Sequence, residues 1–329
     1  YNGTTYKSNI QQFSAATSHS LVGGGSPISN GQILEADGAG TYTISDEALE
    51  ALTGNVTLQA SNDITVNQTI NFQQTSANTI TLQADNDITL AANKSIVTNG
   101  ASVVLTADFD SSGAGNVSLG GQVDTDVASG GAISLSGVDI TTTSNGALYT
   151  DGAAITINGT GNVLLQDKVQ VIGTASTIDI DAAGTLQVDE SISGSGAVSL
   201  DSTGAMSIND DISTSGTGAI SLGASKSGSL TIDGDITSSG GIITLTRGTT
   251  LGGAIQVNSG TGAGDVSFAS TIDGNYGLTA DAGTGSITFS GDIGATTGLS
   301  SLSVAGTNIA FDDIGDADTV GVAGTTSVT

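Results

Sequence analysis

Short apolar–polar–apolar triplets recur along most of the chain. The first is Val56-Thr57-Leu58 and the last is Ile309-Ala310-Phe311. Their first residues lie 253 residues apart over eleven intervals, a mean spacing of 23 with single spacings from 20 to 30. Alternation with a period of two is typical of a strand with one buried face. Recurrence of such strands at a near-constant spacing predicts a repeat architecture.

Each repeat contains further apolar positions after its first triplet. A second triplet commonly follows eight residues on, as at Ile64-Thr65-Val66, and a third apolar point comes next, as at Ile70. Gly, Asn, Asp and Ser lie between these points, and these are the residues that turn a chain. We therefore expect each coil to consist of three short strands separated by turns.

The repeat distinguishes two all-β architectures. A β-sandwich requires no sequence repeat, whereas a β-helix stacks each strand on its equivalent in the next coil. The third residue of the first triplet is apolar in every coil, which only stacking explains. We predict an all-β parallel β-helix (β-solenoid) of about 12 coils of about 23 residues, with an inward core column formed by Leu58, Leu82, Leu105, Leu135, Ile157, Ile180, Leu200, Leu222, Leu245, Phe268, Phe289 and Phe311.

Three segments follow from the repeat. Residues 1–26 lack it and are interpreted as an N-terminal arm, an assembly segment that contains a flexible Gly23-Gly24-Gly25 joint. Residues 27–54 are interpreted as an irregular first coil with a short capping helix over 45–54, because Ser45 suits the N-cap and Gly54 the C-terminal exit. Residues 55–329 form the predicted β-solenoid.

The charge of the chain excludes several classes of function. Five Lys and Arg stand against 32 Asp and Glu, a net charge of −27. Nucleic acid is excluded as a partner because phosphate binding depends on Lys and Arg. No run of eighteen apolar residues occurs, so membrane insertion is not expected. Without Cys, neither disulfides nor thiol chemistry is available.

Catalytic chemistry is not expected, and we predict that the chain is not an enzyme. The single histidine, His19, lies in the arm and suits a solvated loop better than a catalytic base. Paired acids could cleave polysaccharides, but the chain has no Trp and one Arg, Arg247, so turn acids are the preferred interpretation. The pairs are Asp179 with Asp181, Asp189 with Glu190, Asp210 with Asp211, and Asp233 with Asp235.

Calcium is the one cofactor that the acids suggest. Asp63, Asp87, Asp108 and Asp110 lie at predicted turns and supply the hard oxygen ligands that Ca²⁺ prefers. Neither a nonapeptide calcium repeat nor an EF-hand loop supports them. They are candidates, and no other cofactor is expected.

The two ends of the repeat suggest self-assembly. Residues 325–329 resemble the start of another strand, so the chain is either part of a longer rod or pairs there with another copy. In the second case the arm or first coil of a neighbour would complete the edge, and head-to-tail contacts that do not close build a filament. The candidate assembly residues are Tyr1, Tyr6, Ile10, Phe13 and Val328.

Residues 52–66 (LTGNVTLQASNDITV) and 79–90 (TITLQADNDITL) carry a family resemblance. They resemble the adhesin repeats of filamentous haemagglutinin-like bacterial exoproteins. The resemblance implies a right-handed parallel β-helix, export to the cell surface, and a role in adhesion, matrix or filament building. The secretion-domain signature of that family is not present.

Three functions remain open from the sequence. The first is a structural protomer of an extracellular bacterial filament or surface layer, a homopolymer that assembles head-to-tail. The second is the shaft of a secreted adhesin that binds a host or matrix glycan. The third is a β-helix polysaccharide lyase or hydrolase.

Overall fold

A computed structural model of the chain describes residues 8–13, 22–23, 26–27, 32–33, 40–44, 46–126, 130–225, 227–315 and 321–329. The chain divides into two compact units, Tyr1–Thr174 and Ala175–Thr329, called here the N-terminal and C-terminal units. Within the described ranges, no helix has the length and apolar character needed to cross a membrane.

The N-terminal unit contains twenty strands and one short helix among its described residues. In chain order they are β1 (Ser8–Phe13), β2 (Val22–Gly23), β3 (Ser26–Pro27), β4 (Gln32–Ile33), β5 (Gly40–Ile44), α1 (Asp46–Glu50), β6 (Val56–Ala60), β7 (Ile64–Val66), β8 (Ile70–Phe72), β9 (Thr79–Ala84), β10 (Ile88–Leu90), β11 (Ile96–Thr98), β12 (Ser102–Thr106), β13 (Val117–Leu119), β14 (Val123–Thr125), β15 (Ile133–Gly137), β16 (Ile140–Thr142), β17 (Leu148–Asp151), β18 (Ile155–Gly159), β19 (Val163–Leu165) and β20 (Val169–Ile172).

Three parallel sheets are built from these strands, because each coil contributes one strand to each sheet. Sheet 1 has the order β18-β15-β12-β9-β6-β4, and sheet 2 has the order β19-β16-β13-β10-β7-β1-β5. Sheet 3 has the order β20-β17-β14-β11-β8. The short β2 and β3 pair separately and antiparallel.

The C-terminal unit repeats this arrangement. Sheet 1 there has the order β38-β36-β33-β30-β27-β24-β21, sheet 2 the order β34-β31-β28-β25-β22, and sheet 3 the order β39-β37-β35-β32-β29-β26-β23. The strands are β21 (Ile178–Ala182), β22 (Leu186–Val188), β23 (Ile192–Gly194), β24 (Val198–Ser202), β25 (Met206–Ile208), β26 (Ile212–Thr214), β27 (Ile220–Leu222), β28 (Leu230–Ile232), β29 (Ile236–Ser238), β30 (Ile243–Leu245), β31 (Thr249–Leu251), β32 (Ile255–Asn258), β33 (Val266–Phe268), β34 (Ile272–Asp273), β35 (Gly277–Asp281), β36 (Ser286–Phe289), β37 (Ser301–Ala305), β38 (Asn308–Ala310) and β39 (Thr326–Val328).

Register in the N-terminal unit places equivalent apolar residues over one another. Leu82 is opposite both Leu58 and Leu105, and Leu135 is opposite both Leu105 and Ile157. All five side chains are buried. Burial alternates along the sheet 1 strands: the first, third and fifth residues of β6 and of β15 face the interior. The predicted all-β parallel solenoid of coils of about 23 residues is confirmed.

The C-terminal unit has the same core. Leu200 is opposite both Ile180 and Leu222, and all three are buried. The column ends in stacked aromatic rings: Phe268 and Phe289 have centroids 4.8 Å apart, and Phe289 and Phe311 have centroids 5.1 Å apart. These separations match the spacing of hydrogen-bonded strands. Phe311 itself is half-buried, with no strand opposite it on its other side among the described residues.

Helix α1 covers the first strand of sheet 3 in the N-terminal unit. Leu49 of α1 is fully buried, and the carboxylate of Glu50 accepts a hydrogen bond from the backbone N–H of Asn71 in β8 (2.7 Å). Gly54 follows with a φ of 89°, in the left-handed region that favours glycine. The helix predicted within 45–54 is therefore present, and it satisfies a donor at the edge of β8.

Strand β1 lies out of chain order in sheet 2. It pairs in parallel with β5 over several residues and with β7 through the single pair Ile10 and Ile64. Part of the arm, residues 1–26, thus belongs to sheet 2, although the pattern of these residues does not follow the repeat.

Buried hydroxyl groups close the corner that follows many sheet 3 strands. Thr98, Thr125 and Thr150 each donate a hydrogen bond to a carbonyl oxygen of the following turn, over 2.7, 2.5 and 2.6 Å. Thr214 and Ser259 do the same in the C-terminal unit, over 2.7 and 2.5 Å. Because a buried carbonyl without a partner is costly, these hydroxyls stabilise the corners.

The core column provides the first test of this architecture. Replacing Leu135 by Ala leaves a cavity between Leu105 and Ile157, so the free energy of unfolding should fall by about 2–5 kcal/mol. Urea denaturation followed by circular dichroism measures it. The neighbouring outward residue supplies the control, since Ser134→Ala should change the free energy of unfolding by less than about 0.5 kcal/mol. Equal effects of the two substitutions would contradict the register.

Candidate functional site

Turn acids of the N-terminal unit join successive coils between sheets 1 and 2. The backbone N–H of Asp87 donates to Asp63 Oδ1 (3.2 Å), and that of Asn116 donates to Asp87 Oδ1 (2.8 Å). The series continues from Asp139 N–H to Asn116 Oδ1 (3.0 Å) and from Asn162 N–H to Asp139 Oδ1 (2.6 Å). Asp63 and Asp87, two of the calcium candidates, therefore help to hold neighbouring coils together.

The other two calcium candidates lie in the loop between β12 and β13. Asp108 Oδ1 accepts hydrogen bonds from the Gly113 N–H (2.9 Å) and the Ser112 hydroxyl (3.1 Å), and Asp110 Oδ1 accepts one from the Ser112 N–H (3.1 Å). Burial and the Asp110 carboxylate raise the pKa of Asp85. Across the part of the chain that the structure describes, no group of three or more His, Cys, Asp or Glu is arranged to hold a metal ion. Calcium binding stays a prediction.

A carboxylate pair lies at the end of β14 in the N-terminal unit. The Asp126 N–H donates to Asp124 Oδ1 (3.0 Å), and Gln122 Nε2 donates to Asp124 Oδ2 (3.3 Å). A side-chain hydrogen bond with Asp124, burial, and the charges of Asp124 and Asp151 raise the pKa of Asp126 to about 6. Sequence reasoning missed this pair because both residues resemble ordinary turn acids.

The acid pair proposed from sequence as a sugar-cleaving candidate lies on β21. Asp179 and Asp181 are two residues apart on the outward side of the strand, and Asp181 is opposite Asp201 of β24. Burial, Asp179 and Asp201 raise the pKa of Asp181. Asp201 forms an ion pair with Arg247 (2.7 Å). Of these three acids, Asp201 is the one that forms an ion pair within the fold.

The remaining acid pairs lie at turns of the C-terminal unit, where several accept hydrogen bonds. Asp189 Oδ1 accepts one from the side-chain amide of Asn209 (2.7 Å). The Asp235 N–H donates to Asp211 Oδ1 (2.8 Å), and the Gln256 N–H donates to Asp235 Oδ1 (2.7 Å). These contacts again connect one coil to the next, which agrees with the interpretation of the pairs as turn acids.

Arg247 connects three successive coils of the C-terminal unit. Its guanidinium is buried and donates from Nη1 to Ser202 Oγ (3.0 Å) and to the Gly204 carbonyl (3.0 Å). From Nη2 it donates to Asp201 Oδ1 (2.7 Å), to Ser225 Oγ (2.9 Å) and to the Ser202 carbonyl. Asp201 is 46 residues away in sequence, two coils distant. Sequence reasoning had noted Arg247 only as a solitary arginine.

Glycine at position 223 makes room for this side chain. Gly223 has a φ of 75°, and a Cβ there would lie 2.4 Å from Arg247 Nε and 2.6 Å from Arg247 Cδ. A side chain at position 223 would therefore exclude the arginine from its site. Because the guanidinium is fully buried and bonds to groups of other coils, Arg247 has a structural role.

Strands β38 and β39 form an exposed edge of the C-terminal unit, called here the β38–β39 edge. Each is the last strand of its sheet, bonded on one side to β36 and to β37 respectively. Ile314 and Val328 are 43 % and 51 % exposed, and Phe311 is half-buried. In earlier coils the equivalent inward positions are buried. The edge therefore presents apolar side chains and main-chain groups that have no partner within the described ranges.

The predicted assembly residues fall in three places. Tyr1 and Tyr6 lie outside the described residues, as does His19. Ile10 and Phe13 lie in β1 of the N-terminal unit. Val328 lies in β39, at the exposed edge.

Comparison with known proteins adds no relative: a scan against protein-family models, a search of curated proteins and a search of solved structures each found no match.

Removing the arginine tests its role across the coils. Arg247→Met should lower the free energy of unfolding by about 3 kcal/mol, because the Asp201 carboxylate and two carbonyls lose a buried donor. Adding Asp201→Asn to that variant should restore part of the loss, since the uncompensated charge is gone. Urea denaturation measures both variants. If Arg247→Met alone were as stable as the wild type, the structural role of Arg247 would be contradicted.

The carboxylate pair makes stability depend on pH. The folded pKa of Asp126, about 6, exceeds its ordinary value of 3.8, so the folded state holds more protons between these values. Stability contributed by this group therefore falls as pH rises through that window and stays low above it. Asp126→Asn should raise Tm relative to the wild type more at about pH 7 than at about pH 4. Circular dichroism melts measure it.

The exposed Asp313 of the C-terminal unit supplies the matched control. Asp313→Asn removes the same charge at an exposed position, so the difference between its effects on Tm at the two pH values is the background against which Asp126→Asn is compared. An effect of Asp126→Asn on Tm that is no larger at pH 7 than at pH 4 would contradict the raised pKa of Asp126.

Proposed function

We propose that the chain is a structural protomer of an extracellular bacterial filament or surface layer, a homopolymer that assembles head-to-tail by coil stacking. The β38–β39 edge carries the proposal. Its inward apolar side chains are exposed, whereas equivalent side chains in other coils are covered by the next coil. A coil from a second copy, placed on this edge, would bury them and pair the free strand edges.

The physical reason is that a solenoid coil is stable only with neighbours. Each coil contacts only the coils beside it, so an uncovered coil loses part of its buried surface. An unpaired strand edge is also a template for pairing with another chain. Association at β38 and β39 would satisfy both requirements with the same contacts that hold the coils together.

Helix α1 protects one strand of the N-terminal unit from pairing with another chain. Helix α1 covers β8, and Glu50 satisfies the Asn71 amide at that strand. No helix covers β38 or β39 within the described residues. Covering β8, the end strand of sheet 3, opposes pairing of another chain at that strand, whereas β38 and β39 are open to it.

The N-terminal arm is the candidate for completing a neighbour. Strand β1 is inserted between β5 and β7 and is held to β7 by a single residue pair. A strand inserted out of chain order can be exchanged between copies while the coils around it keep their own order, which is a low-cost route to assembly. In the assembled form the arm of one copy would pair with the next copy.

The surface charge and the sequence pattern of the repeats support an extracellular location. A net charge of −27 keeps separate copies soluble and mutually repelling at low salt. The resemblance of residues 52–66 and 79–90 to filamentous haemagglutinin-like repeats favours export and a role in adhesion or filament building. Turn acids that hold coils together favour a structural role over an enzymatic one.

Deleting residues 1–26 tests the arm. The truncated chain should fail to form the filaments that the intact chain forms, because the exchanged strand β1 is missing. Negative-stain electron microscopy of both purified proteins gives the readout, and circular dichroism shows whether the truncated chain keeps its β structure. Filaments unchanged by the deletion would refute the role of the arm.

A charge at the exposed edge tests the edge itself. Val328→Lys should abolish or strongly shorten the filaments, because a lysine on a strand edge opposes pairing. Ile172→Lys is the matched control, since Ile172 is 43 % exposed in the N-terminal unit, away from β38 and β39 in sequence. Filaments of equal length from Val328→Lys and wild-type protein would show that the edge is not the growing surface.

A further inference from the structure

The three sheets of the N-terminal unit extend by different amounts beyond the coil formed by β6, β7 and β8. Sheet 1 continues with one strand, β4, whereas sheet 2 continues with two, β1 and β5. Sheet 3 has no further strand among the described residues, and α1 covers β8 instead. The outermost surface of this unit is therefore stepped, because sheet 2 projects beyond sheet 1 by one strand spacing, about 4.8 Å.

The sheets of the C-terminal unit all finish in the same coil. Sheet 1 adds β36 and β38 after β33, and sheet 3 adds β37 and β39 after β35. In sheet 2, bridges from Ile272 to Ile293 and from Ile293 to Ile314 add two coils after β34. This surface is level. A stepped surface and a level one do not stack in all three sheets at once, although a coil depends on its neighbours in every sheet.

The step arises from β1, which takes the place in sheet 2 that chain order gives to β5. Along the chain, β4, β5 and α1 follow one another as the three elements of a coil do, one at each sheet. Strand β1 separates β5 from β7. Its Ile10 is opposite Tyr42 on one side and Ile64 on the other, so Tyr42 and Ile64 are in register across it. Without β1, β5 can pair with β7, and the surface becomes level.

Strand β1 is held unequally by its two neighbours. It pairs with β5 through five residue pairs, with an irregularity between Ile10 and Gln12. It pairs with β7 through one, whereas β7 pairs with β10 through three. Opening sheet 2 between β1 and β7 therefore breaks fewer pairs than opening it between β7 and β10.

We infer that β1 is an autoinhibitory strand, which keeps copies of the chain apart for as long as it stays between β5 and β7. When β1 leaves, β4, β5 and α1 form one level coil that fits the β38–β39 edge of a second copy. This inference rests on the proposed function and adds the step that controls assembly. The released arm is then available to pair with the next copy.

Strand register assigns the contacts between the two copies. In sheet 1, Ile33 is opposite Leu58 of the core column, so β4 of one copy brings Ile33 opposite Phe311 of the other. In sheet 2, β5 brings Tyr42 opposite Ile314, which stands at the first inward position of that sheet. In sheet 3, α1 lies over β39, and a helix is one of the elements that cover an open strand edge. All three columns left uncovered at the β38–β39 edge thus gain a neighbour.

A pair of engineered cysteines reports whether β5 moves onto β7, since the chain has no cysteine of its own. Thr43→Cys and Thr65→Cys lie on either side of β1, about 10 Å apart and too far for a disulfide. They come opposite each other once β5 pairs with β7. Mild oxidation should therefore cross-link them in filaments and not in free copies, as read by peptide mass spectrometry.

The matched control keeps one of these positions. Thr65 and Thr89 are already opposite each other in β7 and β10, so Thr65→Cys with Thr89→Cys should cross-link equally in free copies and in filaments. Filaments in which the control pair is linked and the Thr43→Cys, Thr65→Cys pair is not would overturn the inference. Equal linking of the latter pair in free copies would do the same.

A second cysteine pair locks β1 in place. Asn9 is opposite Thr41 of β5, so a disulfide between Asn9→Cys and Thr41→Cys should abolish filaments in negative-stain electron microscopy, and reduction should restore them. Ser134→Cys with Thr156→Cys is the control, because it links β15 to β18, whose pairing does not change, and should allow filaments in both redox states. Filaments of wild-type length from the oxidised lock would overturn the inference while the proposed function stands. Absence of filaments from the wild type itself would overturn both.

Discussion

In-register stacking of parallel strands is the constraint on which both units depend. Leu135 is buried only because Leu105 and Ile157 lie over and under it in adjacent coils. The main-chain hydrogen bonds between coils fix the same register. A single coil buries too little apolar surface to compensate for the entropy of ordering its backbone. The outward side chains of the strands also take their positions from this stacking.

Much of the fold could be predicted from sequence because its signals are local and repeated. The triplets alternate with a period of two, and the column from Leu58 to Phe311 recurs in every coil. The helix within 45–54 could be predicted from its own N-cap and glycine exit. Repetition compensates for the weakness of each short strand signal, since twelve similar triplets support one register.

The contacts outside the core column depend on which turns are stacked on one another in the folded chain. Arg247 contacts Asp201 across two coils, and no local pattern indicates such a partner. The corner hydroxyls did have a signal, a Thr or Ser two residues after the third apolar point, as in Ile96-Val97-Thr98. The space that Gly223 leaves for Arg247 had none, because Gly223 resembles any other turn glycine until its φ and its neighbours are known. The insertion of β1 was equally hidden, because its residues do not follow the repeat.

The contacts of Arg247 have a consequence for how the C-terminal unit comes apart. In a simple solenoid, each coil interacts only with its immediate neighbours, so coils can peel away one at a time from an end. Because Arg247 bonds to a residue two coils away, it adds a stabilising interaction between coils that are not immediate neighbours. Under a pulling force along the chain, the segment from Asp201 to Arg247 should then rupture as a block, in one larger step of extension instead of successive small ones.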